Sequence, residues 1–410
     1  GFNQRHGSGY ISPLSGRWRP GDNLEQQLIA AIAGAQRELL LAVQELTLPA
    51  IAEALIERHR AGVTVKVVLE NNYSAPWSRQ HPAGLPAHQQ QRLRRLQALG
   101  WPDAIALLER AGVPLLDDTA DGSAGSGLMH HKFLVIDRQR VLTGSANFTS
   151  SGLHGDAGQA SSRGNVNHLL QLESPELAGI FAEEFEQLWG DGPGGKPNSR
   201  FGLGKHSRRL QQAQLGSNRA SVLFAPHRRD SPHHGLALIR QQLDQAKQSI
   251  DLALFVFSAQ ELADVLAIKR EQGVEIRVLV DPGFAHRSYS EWLDLKGLAM
   301  ADHRCRLEAN NNPWETPLET VGVPRLPRGD KLHHKFAVID NKTVITGSFN
   351  WSPAAAHTND ETLLVIDSPT LAAHFSREME RLWNTATLGK TPRLERKLHR
   401  QQQKCGLSLQ

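Results

Sequence analysis

His130-His131-Lys132-Phe133-Leu134-Val135-Ile136-Asp137, followed by Thr143-Gly144-Ser145-Ala146-Asn147, recurs 203 residues later as His333-His334-Lys335-Phe336-Ala337-Val338-Ile339-Asp340 and Thr346-Gly347-Ser348-Phe349-Asn350. In both copies the His, the Asp and the Gly fall seven residues apart. The apolar run reads as a strand. Side chains on a strand alternate faces, so His130 and Lys132 point one way while His131 joins Phe133 and Val135 on the other. The same parity sets His333 and Lys335 against His334.

The repeat extends outward from this block. Upstream, LIAAIAGAQRELLLAVQELTLPAIAEALIERHRAGVTVKVVL (28–69) aligns without a gap with residues 239–280, at an offset of 211. Each copy alternates helix and strand, with strands expected around Leu39 to Val43, Val63 to Leu69, Ile250 to Phe257 and Val274 to Val280. Downstream, NVNHLLQLESPEL from Asn165 matches NDETLLVIDSPTL from Asn359 at an offset of 194. Both end in Ser-Pro, a helix start, and lead into amphipathic helices closing with Leu-Trp. The alternation implies an α/β fold, a parallel or mixed sheet covered by helices. Boundaries are expected as a first half over 1–190, a basic Gly-rich linker over 191–220 (Lys196, Arg200, Lys205, Arg208, Arg209), a second half over 221–386, and a basic tail over 387–410. The tail reads as a solvated helix or unstructured end, with contact to a phosphate backbone as the alternative.

The chain has 410 residues, 40% apolar and 21% charged, which excludes disordered, collagenous and disulfide-stapled classes. The net charge of +4 is compatible with an anionic partner without demanding one. Cys305 and Cys405 are too few for a disulfide framework and have no zinc-site spacing. No apolar run is long enough to span a bilayer, so the expectation is a soluble chain without stable membrane insertion. Gly1 in place of Met implies removal of an upstream segment, either a tag or the leader of an exported bacterial protein.

An imidazole and an ammonium side by side can attack or protonate a phosphate ester while neutralising its oxygens, and the Gly-Ser-x-Asn that follows adds hydrogen-bond donors for a phosphoryl group. A lone His-x-Lys is an ordinary surface strand. Two copies with identical spacing are different, because packing gives no reason to keep His, Lys, Asp, Ser and Asn together. His131 and His334 read as core-facing. A metal site is not expected, because adjacent strand residues diverge and no third ligand is suitably spaced.

These twin motifs, His130-x-Lys132-x4-Asp137-x6-Gly144-Ser145-x-Asn147 and its second copy, resemble those of the phospholipase D superfamily, and the likeness runs from about Leu24 to Trp383. The resemblance implies two pseudo-symmetric α/β/α sandwich halves with mixed, largely parallel sheets and one active site between them. It also implies a two-step reaction without metal or other cofactor, through a phosphohistidine. Carried over, His130 and His333 would be nucleophile and acid, with Lys132, Lys335, Asn147 and Asn350 as phosphate clamp and Ser145 and Ser348 in support. Asp137 and Asp340 would be structural. In the family an acidic residue orients the histidine of the opposite half. Glu361 stands at that position, whereas its counterpart is Asn167, so His130 would be the nucleophile and His333 the acid.

The superfamily includes nucleases, phospholipases, head-group transferases and cardiolipin synthases, the last typically anchored by hydrophobic segments that are absent here. The run Thr346 to Ala356 with Asn359-Asp360-Glu361 resembles the compact bacterial nucleases, and basic linker and tail fit a polyanion, so a nucleic acid is the expected substrate. Phospholipase D activity on phospholipid head groups is the alternative, and a catalytically weak nucleic-acid-binding protein a third. Both half-sites lie in one chain, so a monomer with an internal pseudo-dimer is expected. Two insertions, 71–129 and 282–332, would rim the site with Trp77, Arg79, Arg92, Arg94 and Arg95, and with His286, Arg287, Tyr289, Trp292 and Trp314, as base-stacking and phosphate-tracking candidates or as plain packing and solvated faces.

Overall fold

The computed structural model describes residues 1–410 except 120–126, 156–158, 207–208 and 407–410; Arg208 lies outside the described residues. The first half carries a six-stranded sheet in the order Leu115–Asp117, Thr64–Leu69, Glu38–Val43, Lys132–Ile136, Arg140–Gly144, Leu169–Glu173. The second repeats it with Val321–Val323, Glu275–Val280, Ser249–Leu254, Lys335–Ile339, Thr343–Gly347 and Glu361–Asp367, then adds Asn218–Ala225 and Gln211–Leu215 at one edge and Thr387–Leu388 at the other. The sheets are mixed but not largely parallel. Among the described strands, only the pairings on the insert side, Glu38–Val43 with Thr64–Leu69 and Thr64–Leu69 with Leu115–Asp117, and their counterparts, are parallel. The reason is local: helix Pro49–Arg60 provides a crossover, whereas each motif strand returns through a three-residue hairpin, which permits antiparallel pairing alone.

That hairpin explains the motif Asp. Asp137 and Asp340 adopt φ 53° and 51° in the hairpin loops. The Asp137 carboxylate accepts the backbone N–H groups of Gln36, Arg37 and Glu38; Asp340 accepts those of Lys247, Gln248 and Ser249. Each Asp thus ties the end of the motif strand to the start of the neighbouring one. The motif Gly has an equally local cause: a Cβ on Gly144 or Gly347 would lie 2.2 Å from the carbonyl oxygen of His168 or Thr362.

Helices Leu24–Ala33 and Pro49–Arg60 cover the outer face of the first sheet, and Gly235–Asp244 and Gln260–Glu271 that of the second. The Ser-Pro helices Pro175–Trp189 and Pro369–Trp383, capped by Ser174 and Ser368, lie on the inner side. There one continuous core takes Phe133, Val135, Phe181 and Phe185 from the first half and Phe336, Val338, Phe375 and Met379 from the second.

Expectations outside the repeat need correction. The linker is largely built into the fold: Phe201 and the side chain of Lys205 are buried, Gln211–Leu215 is a strand, and the boundary placed at residue 220 falls inside Asn218–Ala225. Over its described residues the tail takes the helical reading, and it is fastened to the second half. Thr387–Leu388 pairs with Val321–Val323, helix Pro392–Cys405 buries Leu394, and Cys405 forms a disulfide with Cys305. A pairing across 100 residues leaves no local spacing signal. At the other end, Phe2 bridges His168 and takes the sheet-edge place that Phe224 fills in the second half.

Burial alone would raise the Asp137 carboxyl, but the N–H groups of Glu38, Gln36 and Arg37 outweigh it and hold the group below its usual range. Its stabilisation is therefore present above the ordinary carboxylate pKa and lost as pH falls through the lowered one. Asp137→Ala should cost about 1–2 kcal/mol at neutral pH. In urea melts the gap from wild type should close below about pH 4.

Candidate active site

The two motifs meet where the halves cross. His130 N–H donates to the carbonyl of Asp360 and His333 N–H to that of Val166, each 3.0 Å away in the opposite half. The same crossing serves the rings: His130 Nδ1 lies 2.7 Å from Glu361 Oε2, and His333 Nδ1 lies 2.9 Å from Asn167 Oδ1. The Asn167 amide donates through Nδ2 to the Gly152 carbonyl at 2.9 Å, which turns its oxygen towards His333. Each acceptor is held by its own motif serine, Ser348 Oγ to Glu361 at 2.6 Å and Ser145 Oγ to Asn167 at 2.8 Å. Both rings therefore donate from Nδ1 and leave Nε2 for chemistry.

Lys132 and Lys335 each donate to the carbonyl of the histidine two residues back, at 2.8 Å. Lys335 also lies 4.9 Å from the centre of the Phe255 ring, which packs 4.7 Å from His333. Asn147 donates to Gln44 Oε1 at 3.1 Å. Among the described residues, the buried Oδ1 atoms of Asn147 and Asn350 have no hydrogen-bond partner.

Four basic groups share this burial with one carboxylate. Burial pulls His130 down to about 4, opposed by Glu361 and reinforced by Lys132 and Lys335. His333 falls well below its usual value through burial and the cations of Lys335 and Lys132. Burial brings Lys132 to about 7 against the pull of Glu361 and Glu45, and Lys335 well below its ordinary value. Burial would raise Glu361, but His130 and Lys132 hold it below, hence ionised. The empty site is short of negative charge, and an anion such as a phosphodiester supplies it.

The sequence profile of the phospholipase D-like domain of cardiolipin synthases matches residues 28–189 and 239–383, more than half of the chain. The chain belongs to the phospholipase D superfamily. Among similar proteins, the mitochondrial cardiolipin hydrolase of Xenopus tropicalis is 32% identical over 162 residues, 38% of this chain and 63% of that protein. The phospholipase D of Rickettsia bellii is 28% identical over 160 residues, 39% of this chain and 67% of that one. The chain thus spans less than two thirds of the cardiolipin hydrolase it matches. The crystal structure of phosphatidylserine synthase from Haemophilus influenzae superposes with a TM-score of 0.58 at 14% identity, covering 93% of this chain and 91% of that one, which shows a shared fold.

Behind the superfamily motifs lies a second polar layer that the sequence concealed. His131 is core-facing but polar-bound: its ring reaches Thr362 Oγ1 at 2.9 Å and Glu184 at 3.2 Å. His334 reaches His168 at 3.0 Å and Glu378 at 3.0 Å. Glu184 and Glu378 occupy matching positions of the two inner helices, and that match was the available signal. His131, Glu184 and Asp360 do bring ligand atoms within 4.8 Å, so a third ligand exists, from another element of the fold. The ammonium of Lys205 fills that place, 2.7 Å from Asp360 and also bonded to Glu184. Burial opposes its charge, but Asp360 and Glu184 hold it above its usual pKa.

The rim candidates divide. Trp292 is fully buried with Nε1 bonded to the Gly322 carbonyl at 3.1 Å, and Trp314 is buried, so both belong to the core. Trp77 is half-buried, and Arg79 is exposed and paired with Glu109 at 2.8 Å. Arg287 and Tyr289 are exposed. Arg92, Arg94 and Arg95 line a cavity of about 690 Å³ with Glu45, Tyr73 and Thr149. Arg92 bonds Glu45 at 2.6 Å, the residue after Gln44.

Because Lys132 loses its proton at about 7, kcat/KM should fall as pH rises through that value. A profile flat across neutrality would show the ammonium is not used. Lys205→Met would strand two buried carboxylates and should cost about 3–5 kcal/mol. A lowered Tm reads this, with Lys205→Arg recovering most of the loss.

Proposed function

We propose that this protein hydrolyses phosphodiesters in two steps without a metal ion, with His130 as nucleophile and His333 as general acid, and that its substrates are phospholipid head-group diesters. The observation that carries the division of roles is the unequal partners of the two rings, a carboxylate at 2.7 Å for His130 and an amide oxygen at 2.9 Å for His333. A carboxylate stabilises the positive charge that a phosphorylated imidazole carries. An amide accepts the same hydrogen bond without that charge, so a protonated His333 surrenders its proton readily.

His130 Nε2 attacks phosphorus, the bond to the leaving oxygen breaks, and His333 protonates that oxygen. His333, now neutral, takes a proton from water while the hydroxide attacks phosphorus, releasing His130. The diester and one water give a monoester and an alcohol. Burial, with the cations of Lys335 and Lys132, lowers His333, and the negative charge of the bound diester opposes those cations. Lys132 and Lys335 supply the positive charge that a metal gives elsewhere.

The lipid substrate is supported by the company the chain keeps, a domain profile of cardiolipin synthases, a cardiolipin hydrolase and a phospholipase D. The cavity beside Glu45, lined also by Arg92, Arg94, Arg95 and Thr149, offers room for a head group. Nucleic acid, the expectation from the basic segments, is the second reading, favoured by the cations along helix Pro392–Cys405.

The test offers phosphatidylglycerol, cardiolipin, phosphatidylcholine, single- and double-stranded DNA and RNA in parallel, with and without EDTA. Turnover of lipid that survives chelation is expected; turnover of nucleic acid alone would replace the substrate class, and loss with EDTA in a folded protein would refute the mechanism. With a nitrophenyl phosphodiester, His333→Ala should still accumulate a phosphoenzyme labelled at His130. His130→Ala should form none, and a label on His333 would reverse the roles.

A further inference from the structure

Helix Pro392–Cys405 carries Arg393, Arg396, Lys397, Arg400 and Lys404, spaced three, four, seven and eleven residues from the first, which places all five along one flank. Its single acid, Glu395, points elsewhere. The adjoining flank, with Leu394, Leu398 and Gln401, is set into the second half. The helix is fastened along its length to the insertion 282–332: Lys397 donates to the His286 carbonyl, Gln401 exchanges hydrogen bonds with Ala301, Lys404 donates to the His303 carbonyl at 3.1 Å, and Cys405 is bonded to Cys305. Among the described residues, none of the five cations pairs with a carboxylate.

A chain of contacts leads from the active site towards this flank. From His333 the rings of Phe255 and Phe284 form a continuous floor, with centroids 4.7 Å and 4.6 Å apart, and the guanidinium of Arg287 lies 5.7 Å from Phe284. Arg287 in turn belongs to the same basic group: its charge, with those of Arg393 and Arg400, adds to burial in lowering the Lys397 ammonium. The insertion also exposes two large side chains with apolar surface, Tyr289 at 41% and Leu307 at 45%. A row of cations on a helix fastened to an insertion that exposes a tyrosine and a leucine has the composition of an interfacial surface.

We propose that the flank Arg393–Arg396–Lys397–Arg400–Lys404, with Arg287, docks the protein on an anionic phospholipid surface and presents the Phe255–Phe284 side of the active site to it. The inference rests on the lipid reading of the substrate. Charge complementarity selects the partner: anionic head groups gather lysine and arginine within a Debye length of the surface, while Tyr289 and Leu307 reach the interfacial layer.

The experiment is co-sedimentation of the full chain with vesicles of phosphatidylcholine and with vesicles of phosphatidylcholine mixed with phosphatidylglycerol, across a salt series. Turnover of a soluble nitrophenyl phosphodiester is measured alongside. Binding to the anionic vesicles that weakens with salt, and little to the neutral ones, is expected. Arg393→Gln/Arg396→Gln/Arg400→Gln should weaken vesicle binding about tenfold or more with soluble-diester turnover unchanged, which also shows that it is folded. The triple Arg→Lys variant should keep binding, and His130→Ala should bind vesicles but turn over nothing. Equal binding to both vesicles, or a Gln variant that still binds, would overturn the proposal. Binding of DNA in preference to anionic vesicles, lost in the same variant, would do so too and assign the flank to nucleic acid. A wild-type chain that binds vesicles but hydrolyses no diester would remove the hydrolase reading and leave the docking surface standing.

Discussion

The hydrogen bond between His130 and Glu361 joins side chains 231 residues apart in opposite halves of one chain. It exists only when two sheets, each complete in itself, pack at one relative position. Burying imidazoles and ammonium groups together is costly, and the anionic Glu361 is what makes the collection tolerable before substrate arrives. Everything around it keeps that carboxylate in place: Ser348 bonds the same oxygen, and Asp360, its neighbour, forms a bridge with Met129 beside His130.

The interface that fixes this position is both apolar and polar. Phe133, Phe181, Phe336 and Phe375 supply attraction without direction, since hydrophobic contact alone tolerates small shifts. The His131–Thr362–Glu184 and His334–His168–Glu378 sets supply direction, because a buried hydrogen bond lost to a displacement is not replaced by water. Lys205 adds one more constraint on a single side. Its ammonium binds Glu184 of one half and Asp360 of the other, so the connecting segment also clamps the two halves.

How far the sequence revealed this depends on whether the information was local or repeated. The repeat exposed the sheet strands, the inner helices and the partners Glu361 and Asn167, because a duplicated fold must place equivalent residues equivalently. Lys205 stayed hidden because its segment has no second copy, and a lysine between Gly-rich and basic stretches reads as solvated until tertiary structure buries it. The Cys305–Cys405 pairing was hidden for the same reason. Trp292 stayed open between stacking and packing because an aromatic residue near arginines has the same composition whether it faces solvent or core. The proportion of parallel strands was overestimated because the order of strands in a sheet depends on which connection is a hairpin, and that lies in the geometry of the Asp137 loop. Even within the repeat, one contact changes source. The N–H of Leu332 is received by Asp281, which follows the second parallel strand, whereas that of Met129 is received by Asp118, which follows the third.

A duplicated fold makes two equal half-sites, yet the proposed reaction needs unequal ones, since one ring must carry positive charge as a phosphoimidazole while the other must give up its proton. The smallest change that separates them is at the residue each ring addresses. Glutamate and asparagine accept the same Nδ1–H at nearly the same distance, so the packing of both halves is preserved while one ring gains a full negative charge and the other a dipole. The structure reinforces that choice with charge on the glutamate side, whereas the N–H of Asn167 is held by the neutral side chain of the buried Asn3 at 2.9 Å. Asp360 and Lys205 brace the strand that carries Glu361, whereas the equivalent of Asp360 before Asn167 is Val166. A carboxylate bonded to an imidazole that becomes cationic bears a changing electrostatic load, and its position must hold through that change. An amide beside the second ring bears less, and an apolar neighbour suffices.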